Sequence, residues 1–320
     1  MFTSLRPIDV FAAAERLRGV IARTPLRRSA ALSEVAGGDV WLKLEAEQVT
    51  RSFKIRGAFN ALASMRPDER ARGVVAASAG NHGLGVAHTA AHFGVEATVF
   101  VPATAPEVKR QGIEALGATV DTASPDYDAA HTRAVAFARE RGATFIDPCS
   151  GNVLLAGQGT VGLEIIETLP QLETLILPVG GAGLLGGVGS LLRAVAPHVR
   201  IVGAQSVLTA AMARSLEAGR VVPIPSVPTL AEGLAGGIDD YALDIGRHAL
   251  DDIVTVEERD IAAAITWTWR EESVAIEGSA AVGVAAILGR KIDALRTPAV
   301  VIITGGNIDP ARLQGLLGDG

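Results

Sequence analysis

The feature that most constrains the fold is a regular alternation of short apolar runs with helical segments between residues 73 and 146. Strands are predicted at residues 73–77, 96–101, 119–122 and 144–146. The helical segments between them end near Phe93, Gly117 and Arg141. Parallel strands need long crossover connections, which helices of this length supply. This part of the chain therefore predicts a small parallel α/β unit of four strands and three helices.

The same alternation resumes on a larger scale after Asp147-Pro148. Further strands are predicted there at residues 174–179, 200–204 and 299–304, and one more is predicted before the small unit, at residues 40–44. Together the two patterns predict an α/β protein of two doubly wound parallel-sheet domains, with a cleft between them. We expect residues 1–70 and 148–320 to form the larger domain, and residues 71–147 to be inserted into it as the smaller one.

The composition excludes several classes of function. The 320 residues carry 29 basic and 35 acidic side chains, for a net charge of -6. This balance offers no electrostatic footprint for nucleic acid or an anionic membrane. The single cysteine, Cys149, excludes an intramolecular disulfide, so nothing points to an oxidising compartment. The chain has neither a secretory signal nor an apolar window of the roughly 18 residues that a membrane span needs. We therefore expect a cytoplasmic protein with no nucleic-acid or membrane partner.

Candidate ligand-binding residues follow the predicted strands. In open parallel sheets, ligands bind beyond the carboxyl ends of the strands. Three strands end in loops of small residues, and a lysine stretch follows a fourth strand. These four segments are Ser78–Gly83, Gly180–Gly187, Thr304–Asn307 and Thr50–Gly57. We expect them to line the cleft.

The glycine run at residues 180–187 is the most phosphate-like of these loops. Consecutive glycines let backbone N–H groups surround an anion, and the following helix adds the positive end of its dipole. Residues 181–186 also match the G-x-G-x-x-G dinucleotide motif, which needs an acidic residue roughly 20 positions later. The next predicted strand is followed by Gln205-Ser206 instead. We therefore favour a lone phosphate over a dinucleotide, with tight helix–sheet packing as the purely structural alternative.

Lys54 lies at the junction of a predicted strand and a helix, next to Phe53. A lysine amine that is partly desolvated there can lose its proton near neutral pH and attack a carbonyl. His82 has no adjacent acidic residue, so we interpret it as a packed histidine rather than a base. Histidines, cysteine and carboxylates lack metal-ligand spacing, and no Gly-x-Ser-x-Gly elbow occurs. Neither a metal centre nor a serine hydrolase is predicted.

A lysine nucleophile, a lone-phosphate loop and a polar loop at a helix start are the parts that a pyridoxal-phosphate enzyme needs. Together they resemble fold type II of these enzymes (the tryptophan synthase β-like fold), specifically the threonine/serine dehydratases or ammonia-lyases, which are related to serine racemases. The similarity covers nearly the whole chain in seven segments: residues 23–26, 42–45, 52–57, 78–83, 156–160, 180–184 and 304–307.

The resemblance implies pyridoxal 5'-phosphate as the cofactor, bound in the cleft between the domains. Lys54 would form the Schiff base with it, Phe53 would pack beside its ring, and Asn81 would hydrogen-bond the phenolic oxygen of the ring. Thr304 would lie against the pyridine nitrogen. The phosphate would be bound by the backbone amides of Gly180, Gly181, Ala182, Gly183 and Leu184.

The implied reaction is the dehydration of a β-hydroxy amino acid, L-threonine or L-serine. Lys54 would take the Cα proton, the β-hydroxyl would leave as water with the cofactor phosphate as proton donor, and the released enamine would hydrolyse to a 2-oxo acid and ammonia. The neutral hydroxyl of Thr304 makes the ring a weaker electron sink, which disfavours transamination. The family is usually dimeric, so we expect a homodimer. The substrate carboxylate would rest on the amides of Ser78, Ala79, Gly80 and Asn81.

Some residues depart from the family pattern. Serine racemases have a second serine at the position of Ala79, which serves as acid and base on the opposite face of the ring. Racemisation by this chain should therefore be weak or absent. Racemases and some dehydratases also carry carboxylates for a divalent cation after the strand predicted at residues 200–204. Gln205 and Ala211 occur there instead, so no such metal site is expected.

Three further positions bear on the cleft and on regulation. Glu277 matches a family glutamate near the ring, but Gly278 replaces the proline that usually follows it. Ala182 replaces the middle glycine of the phosphate loop, which a backbone contact should tolerate. The chain stops 13 residues after Asn307, which leaves no room for the regulatory domain of biosynthetic threonine dehydratases. Feedback by an end-product amino acid is therefore not expected.

Other functions remain open at this point. Pocket loops such as residues 232–237 decide the substrate, which could instead be a hydroxyaspartate, a phenylserine or a hydroxyectoine-derived compound. A nucleotide-dependent oxidoreductase would use Gly181–Gly186, but it lacks the acidic residue at Gln205 and leaves Lys54 unexplained. A cofactor-binding protein without catalysis is the third alternative, and the presence of both Lys54 and Asn81 argues against it.

Overall fold

The computed structural model describes residues 3–225 and 227–318. In these residues ten strands are present: β1 (Leu26–Ser29), β2 (Val40–Leu44), β3 (Val74–Ala77), β4 (Ala97–Pro102), β5 (Thr119–Ser124), β6 (Thr144–Phe145), β7 (Thr174–Pro178), β8 (Arg200–Ser206), β9 (Asp252–Val256) and β10 (Ala299–Ile303). The helices begin with α1 (Pro7–Leu17), α2 (Ala30–Ala36), α3 (Lys54–Ser64), α4 (Pro67–Arg70), α5 (Asn81–Phe93), α6 (Glu107–Glu114) and α7 (Tyr127–Arg141). They continue with α8 (Asn152–Thr168), α9 (Gly183–Val195), α10 (Ala211–Ala218), α11 (Asp240–Ala249), α12 (Glu258–Glu272), α13 (Gly278–Leu288) and α14 (Pro310–Gly318).

The larger sheet has six strands in the order β1-β2-β10-β7-β8-β9. Five of them run parallel. Strand β10 lies between β2 and β7, and its first residue, Ala299, is paired with Val40 of β2 and with Thr174 of β7. Strand β1 is antiparallel to β2 and closes one edge. Apolar side chains fill β7 and β10, which are buried along their whole length, as expected for central parallel strands covered by helices on both faces.

The smaller sheet has four parallel strands in the order β5-β4-β3-β6. Helices α5, α6 and α7 connect these strands, so the predicted unit of four strands and three helices is confirmed. One face of the sheet packs on α7, where the small side chains Ala130, Ala134 and Ala138 contact Val75 and Phe100. The limits predicted for the inserted domain, residues 71 and 147, remain a prediction.

Several elements differ from the sequence prediction. The helical spacing of apolar residues predicts a first helix over about residues 8–22, but α1 ends at Leu17, and Gly19 then adopts φ 76°. The sequence pattern also predicts a helix around residues 160–169, but α8 begins at residue 152 and has Gly157, Gly159 and Gly162 inside it. Strands β1 and β9 and helices α2, α11 and α14 were not predicted at all.

The glycines of α8 explain why its start was missed. A side chain at Gly157 would place its Cβ 2.5 Å from the carbonyl oxygen of Arg56, and one at Gly187 of α9 would come within 2.1 Å of the Leu155 oxygen. The backbones of α3, α8 and α9 therefore approach closely, and glycine is kept inside α8 for packing rather than for a turn. These closely packed helices hold α3, which begins at Lys54, in place.

Residues 3–225 and 227–318 include no helix that is both long and apolar enough to cross a membrane.

Candidate active site

Lys54 is the first residue of α3, and its amine points at the turn formed by Asp147–Ser150. Its Nζ donates to the carbonyl oxygen of Pro148 at 2.8 Å and lies 3.8 Å from Sγ of Cys149. The same nitrogen is 5.4 Å from the centre of the Phe53 ring. The lysine is only partly exposed, so its amine is held in one direction by a neutral acceptor.

The turn that receives Lys54 is itself fixed by a carboxylate. Oδ1 of Asp147 accepts hydrogen bonds from the backbone N–H groups of Cys149 and Ser150, both at 2.8 Å. An aspartate that bonds the backbone two and three residues ahead stabilises a tight turn. This turn aims the Pro148 carbonyl at the lysine.

The glycine loop has the free donors that a phosphate requires. None of the backbone amides of Gly180, Gly181, Ala182, Gly183 and Leu184 donates to a protein acceptor within the described part of the chain. Helix α9 begins at Gly183, so the positive end of its dipole adds to this set of donors. The loop therefore fits a dianionic group such as the phosphate of pyridoxal phosphate.

Ala182 occupies an unusual conformation in this loop. Its φ of 63° lies in the left-handed region, where a residue with a Cβ pays roughly 1 kcal/mol relative to glycine. Alanine is compatible with a phosphate contact made by the backbone amide, as the sequence predicts. In place of glycine, however, it also has a conformational cost.

The glycine loop and Lys54 meet at Cys149. A side chain at Gly181 would place its Cβ 2.7 Å from Sγ of Cys149, and one at Gly183 would lie 2.9 Å from Cα of the same cysteine. Cys149 is thus in contact with the loop on one side and within 3.8 Å of Nζ of Lys54 on the other. The predicted nucleophile and the predicted phosphate site therefore lie in one cleft.

The loop after β10 joins the lysine stretch through a short ladder. Phe53 N–H donates to the carbonyl oxygen of Thr304 at 3.2 Å, and Ser52 forms an antiparallel bridge with Gly305. Thr304 is 4% exposed. This ladder fixes the position of Thr304 relative to Lys54. Such a fixed position is needed if Thr304 is to lie against the pyridine nitrogen, as the sequence predicts.

Asn81, the first residue of α5, connects the smaller sheet to this loop. Its Nδ2 donates to Oε1 of Glu277 at 2.8 Å, and its Oδ1 accepts from Nδ2 of Asn307 at 2.7 Å. Burial raises the pKa of Glu277 to about 7, although the Asn81 hydrogen bond and the positive charge of Lys109 oppose the shift. A carboxyl group that titrates near neutral pH in a cleft is typical of a functional site.

The loop before α5 has two amides free for an anion. Ser78 N–H already donates to the Phe100 oxygen at 3.1 Å, and Gly80 N–H donates to Oγ of Ser78 at 3.2 Å. The amides of Ala79 and Asn81 have no acceptor in residues 3–225 and 227–318. Two of the four amides predicted to bind the substrate carboxylate are therefore available, together with the Ser78 hydroxyl.

His82 is a packed histidine, as its lack of an acidic neighbour predicted. The side chain is 2% exposed, and its Nε2 lies 2.8 Å from the carbonyl oxygen of Ile146. Burial, reinforced by the positive charge of Lys54, lowers the pKa of His82 to about 4. The imidazole is therefore neutral at physiological pH and links α5 to the end of the smaller sheet.

A buried group of four charges surrounds Arg56, two residues after Lys54 on α3. The Arg56 guanidinium contacts both carboxylate oxygens of Glu45 at 2.8 Å and those of Glu164 at 2.7 and 3.0 Å. Nζ of Lys43 bonds Glu164 and the Thr24 carbonyl oxygen. Burial alone would raise the pKa of Glu45, but the Arg56 charge and hydrogen bonds outweigh it and hold the pKa below its usual value. The two positive and two negative charges compensate one another.

A second set of charges joins the two sides of the cleft. Glu232, in the loop before α11, bonds Nζ of Lys109 on α6 at 2.7 Å and a guanidinium nitrogen of Arg312 on α14 at 2.6 Å. Lys109 lies on the side of the smaller sheet, whereas the other two residues belong to the larger side. Sequence patterns could not reveal this set, since exposed lysine and glutamate residues are common on any surface.

The structure brings the predicted cofactor residues together around Lys54, and their roles toward the cofactor remain predictions. It also shows two contacts for which the sequence predicted no role. The Pro148 carbonyl oxygen is a partner of Lys54, and Asn307 is a partner of Asn81. A backbone carbonyl has no sequence signature, whereas Asn307 could have been found because it follows Thr304-Gly305-Gly306.

Comparisons with known proteins identify the family of the chain. Residues 17–305 match the model of the pyridoxal-phosphate dependent enzyme family. An L-threonine ammonia-lyase of Thermotoga maritima is 41% identical over 98% of this chain and 78% of its own length. The structure of maize serine racemase superposes with a TM-score of 0.93 at 29% identity, covering 99% of this chain and 98% of that one. A processed threonine deaminase from Solanum lycopersicum superposes with a TM-score of 0.90 at 31% identity, covering 98% and 87%.

These matches confirm the fold class, the resemblance and the pyridoxal phosphate cofactor that the sequence predicted. The chain belongs to the pyridoxal-phosphate dependent enzymes of fold type II.

Proposed function

We propose that this enzyme is an ammonia-lyase that converts L-threonine or L-serine to a 2-oxo acid and ammonia by loss of water. The observation that carries the proposal is the position of the Lys54 amine, which shares Cys149 as a neighbour with the unpaired amides of Gly180–Leu184. The similarity to threonine ammonia-lyases supports the substrate class.

Lys54 is assigned the proton transfer at Cα. Bound pyridoxal phosphate supplies the electron sink that makes this proton acidic. The lysine amine, held by the neutral Pro148 oxygen rather than by a carboxylate, can accept that proton as a general base. The amides of Gly180–Leu184 would hold the phosphate. Phe53 and Thr304 would lie against the ring.

The loop before α5 is assigned the substrate carboxylate. The free amides of Ala79 and Asn81 lie at the start of a helix, where the dipole favours a negative charge. The Ser78 hydroxyl, which accepts from the Gly80 N–H, lies in the same loop and can donate to the carboxylate. Ala79 carries no acid or base for the opposite face of the substrate, so the proposal is a lyase with little or no racemase activity.

The decisive experiment is an assay of ammonia and 2-oxo acid release by the pyridoxal-phosphate-loaded enzyme. The panel holds L-threonine, L-serine, the threo and erythro hydroxyaspartates and phenylserine. Turnover of threonine or serine supports the proposal, whereas turnover of only a hydroxyaspartate or phenylserine moves the function to a specialised dehydratase. Release of no ammonia from any of them would refute the proposed lyase.

Lys54→Ala provides the matched test of the assigned base. This variant should lose both turnover and the absorbance of lysine-bound cofactor, since no other amine is assigned to that role. Lys291→Ala, the same change at an exposed lysine, should leave both unchanged. Full activity of Lys54→Ala would contradict the assigned mechanism.

We further propose that the enzyme is a cytoplasmic homodimer without nucleic-acid or membrane partners, in which residues 71–147 form a domain inserted between residues 1–70 and 148–320. The dimer is supported by exposed large apolar side chains at Ile8, Phe11 and Val49. Sedimentation equilibrium of the holoenzyme tests it, and a monomer at micromolar concentration would refute it.

A further inference from the structure

A chain of hydrogen bonds runs from the lysine stretch to Glu277 and fixes the direction of every amide in it. The carbonyl oxygen of Thr50 can only accept, so the side-chain nitrogen of Asn307 must face it, at 3.0 Å. The same nitrogen lies 2.7 Å from Oδ1 of Asn81. Asn81 must therefore turn its Nδ2 toward Glu277, which has to act as the acceptor.

Glu277 is held in place for that task. Its backbone N–H donates to the Gly305 oxygen at 3.1 Å, and Glu277 immediately precedes the first residue of α13. A Cβ at Gly305 would lie 2.6 Å from Oε1 of Glu277 and 3.1 Å from Nδ2 of Asn81. The glycine thus leaves room for the carboxyl group and the amide to meet.

The following residue confines Glu277 from the other side. A side chain at Gly278 would place its Cβ 2.1 Å from the carbonyl oxygen of Leu230. The backbone around Glu277 therefore lies against the loop that contains Glu232, and no larger residue fits after it without a shift. This contact accounts for a glycine where the family usually has proline.

We propose that Glu277 is a positioning residue that acts through Asn81 on the phenolic oxygen of the cofactor ring. The amide nitrogen of Asn81 carries two hydrogens, of which one is engaged by Glu277 and the second can be donated to the ring oxygen. A carboxylate partner strengthens and orients this amide more than a neutral one does. The inference deepens the proposed function and rests on the cofactor contact assigned to Asn81.

Charged groups from several elements act on this carboxyl group. Lys109 of α6 and Lys54 of α3 favour its ionised form, while Glu232 disfavours it, and burial raises its pKa to about 7. Asn81, the first residue of α5, also favours the ionised form through its hydrogen bond to Glu277, but burial outweighs these effects. The strength of the acceptor should therefore change within the neutral pH range.

The test compares two cofactors on the cofactor-free protein. Dissociation constants for pyridoxal 5'-phosphate and for 3-deoxypyridoxal 5'-phosphate, which lacks the ring oxygen, are measured by absorbance titration. Glu277→Ala should bind pyridoxal phosphate about tenfold more weakly than the wild type, as expected for one charge-assisted hydrogen bond. With the 3-deoxy compound, the wild type and the variant should agree within about twofold, since the affected oxygen is absent.

Glu277→Gln keeps an acceptor oxygen and removes the charge. Its affinity for pyridoxal phosphate should remain within about threefold of the wild type at pH 6. The ratio of the two dissociation constants should increase as the pH rises to 8.5, because only the carboxyl group of the wild type ionises. Glu258→Gln is the matched control, since this partly buried glutamate accepts from Ser206, Thr229 and Leu230 and does not touch Asn81. It should show neither effect.

Equal losses with both cofactors in Glu277→Ala would overturn the inference, because the effect would then not pass through the ring oxygen. A ratio for Glu277→Gln that does not change between pH 6 and pH 8.5 would overturn the part assigned to its charge. The affinities decide the positioning role whether or not the wild type releases ammonia from L-threonine. Failure of the proposed function and failure of this inference are therefore separate results.

Discussion

His82 gives a test of the structure that does not depend on the reaction. The imidazole is 2% exposed, and its Nε2 lies 2.8 Å from the Ile146 oxygen, so this nitrogen carries the proton. Its Nδ1 has no partner among the residues that the structure describes. A second proton would place a charge in this buried site beside the positive charge of Lys54, which is why burial first and that charge second lower its pKa to about 4.

The depressed pKa makes folding depend on pH in a defined window. The unfolded chain binds a proton near pH 6.5 and the folded one only near pH 4, so the contribution of His82 to stability is complete above pH 6.5 and is lost as the pH falls toward 4. Between pH 8 and pH 5 this single group should remove about 2 kcal/mol from the free energy of unfolding. Above pH 7 its effect should be flat.

The assay is urea denaturation of the cofactor-free wild type and of His82→Gln at pH 8 and pH 5. Glutamine keeps a nitrogen donor for the Ile146 oxygen but does not titrate. The difference in unfolding free energy between the two proteins should therefore shift by about 2 kcal/mol in favour of the variant at pH 5. His198→Gln, at an exposed histidine, is the matched control. A shift below about 0.5 kcal/mol, within the scatter of additive sites, would refute the burial of a neutral imidazole at this position.

Three further variants test other parts of the structure. Glu45→Gln should destabilise the protein by roughly 3 kcal/mol in urea denaturation, because Arg56 and Lys43 would then share the single carboxylate of Glu164 and one buried positive charge would be uncompensated. Gly187→Ala should lower the unfolding free energy by about 1–3 kcal/mol or prevent folding, since its Cβ would lie 2.1 Å from the Leu155 oxygen. Ala79→Ser should gain slow conversion of L-serine to D-serine, detected by chiral chromatography, because it supplies the missing hydroxyl.

Each of these has a control or an opposing result. Glu47→Gln makes the same change as Glu45→Gln at an exposed side chain, and Gly236→Ala adds a Cβ that would meet no atom within 4 Å. Both should stay within about 0.5 kcal/mol of the wild type. Losses equal to those of the buried positions would contradict the packing described. Racemisation by the wild type at the rate of the serine variant would contradict the role given to Ala79.

The sequence was sufficient for the parts of the fold that depend on local pattern. The alternating apolar runs placed β2 to β8 and β10 to within a few residues, because buried parallel strands are continuously apolar and are bounded by turns. Strand β1 was missed because it contains Arg27 and Arg28 and pairs on one side only, with β2. Its assignment depends on a neighbour rather than on its own residues.

The site divides in the same way. Lys54 and the glycine loop have signatures in the chain, since a nucleophile and a phosphate loop need particular residues at particular places. The contact that aims the lysine does not, because its acceptor is the backbone oxygen of Pro148, 94 residues away. Helix α8 was placed too late for a related reason. Its glycines are explained by the backbones of α3 and α9, which are only seen in the folded protein.

The pairing of β3 with β6 has a consequence for how such enzymes can be varied. These are the first and last strands of the smaller sheet, and Val74 lies beside Thr144. Neighbouring strands are about 4.8 Å apart, so the chain enters and leaves this unit at nearly one point. A foreign segment whose ends lie equally close could replace it without stretching the larger sheet. Such a replacement would have to keep Asn81 and the loop before α5, because these residues belong to the exchanged unit, whereas Lys54 and the glycine loop lie outside it.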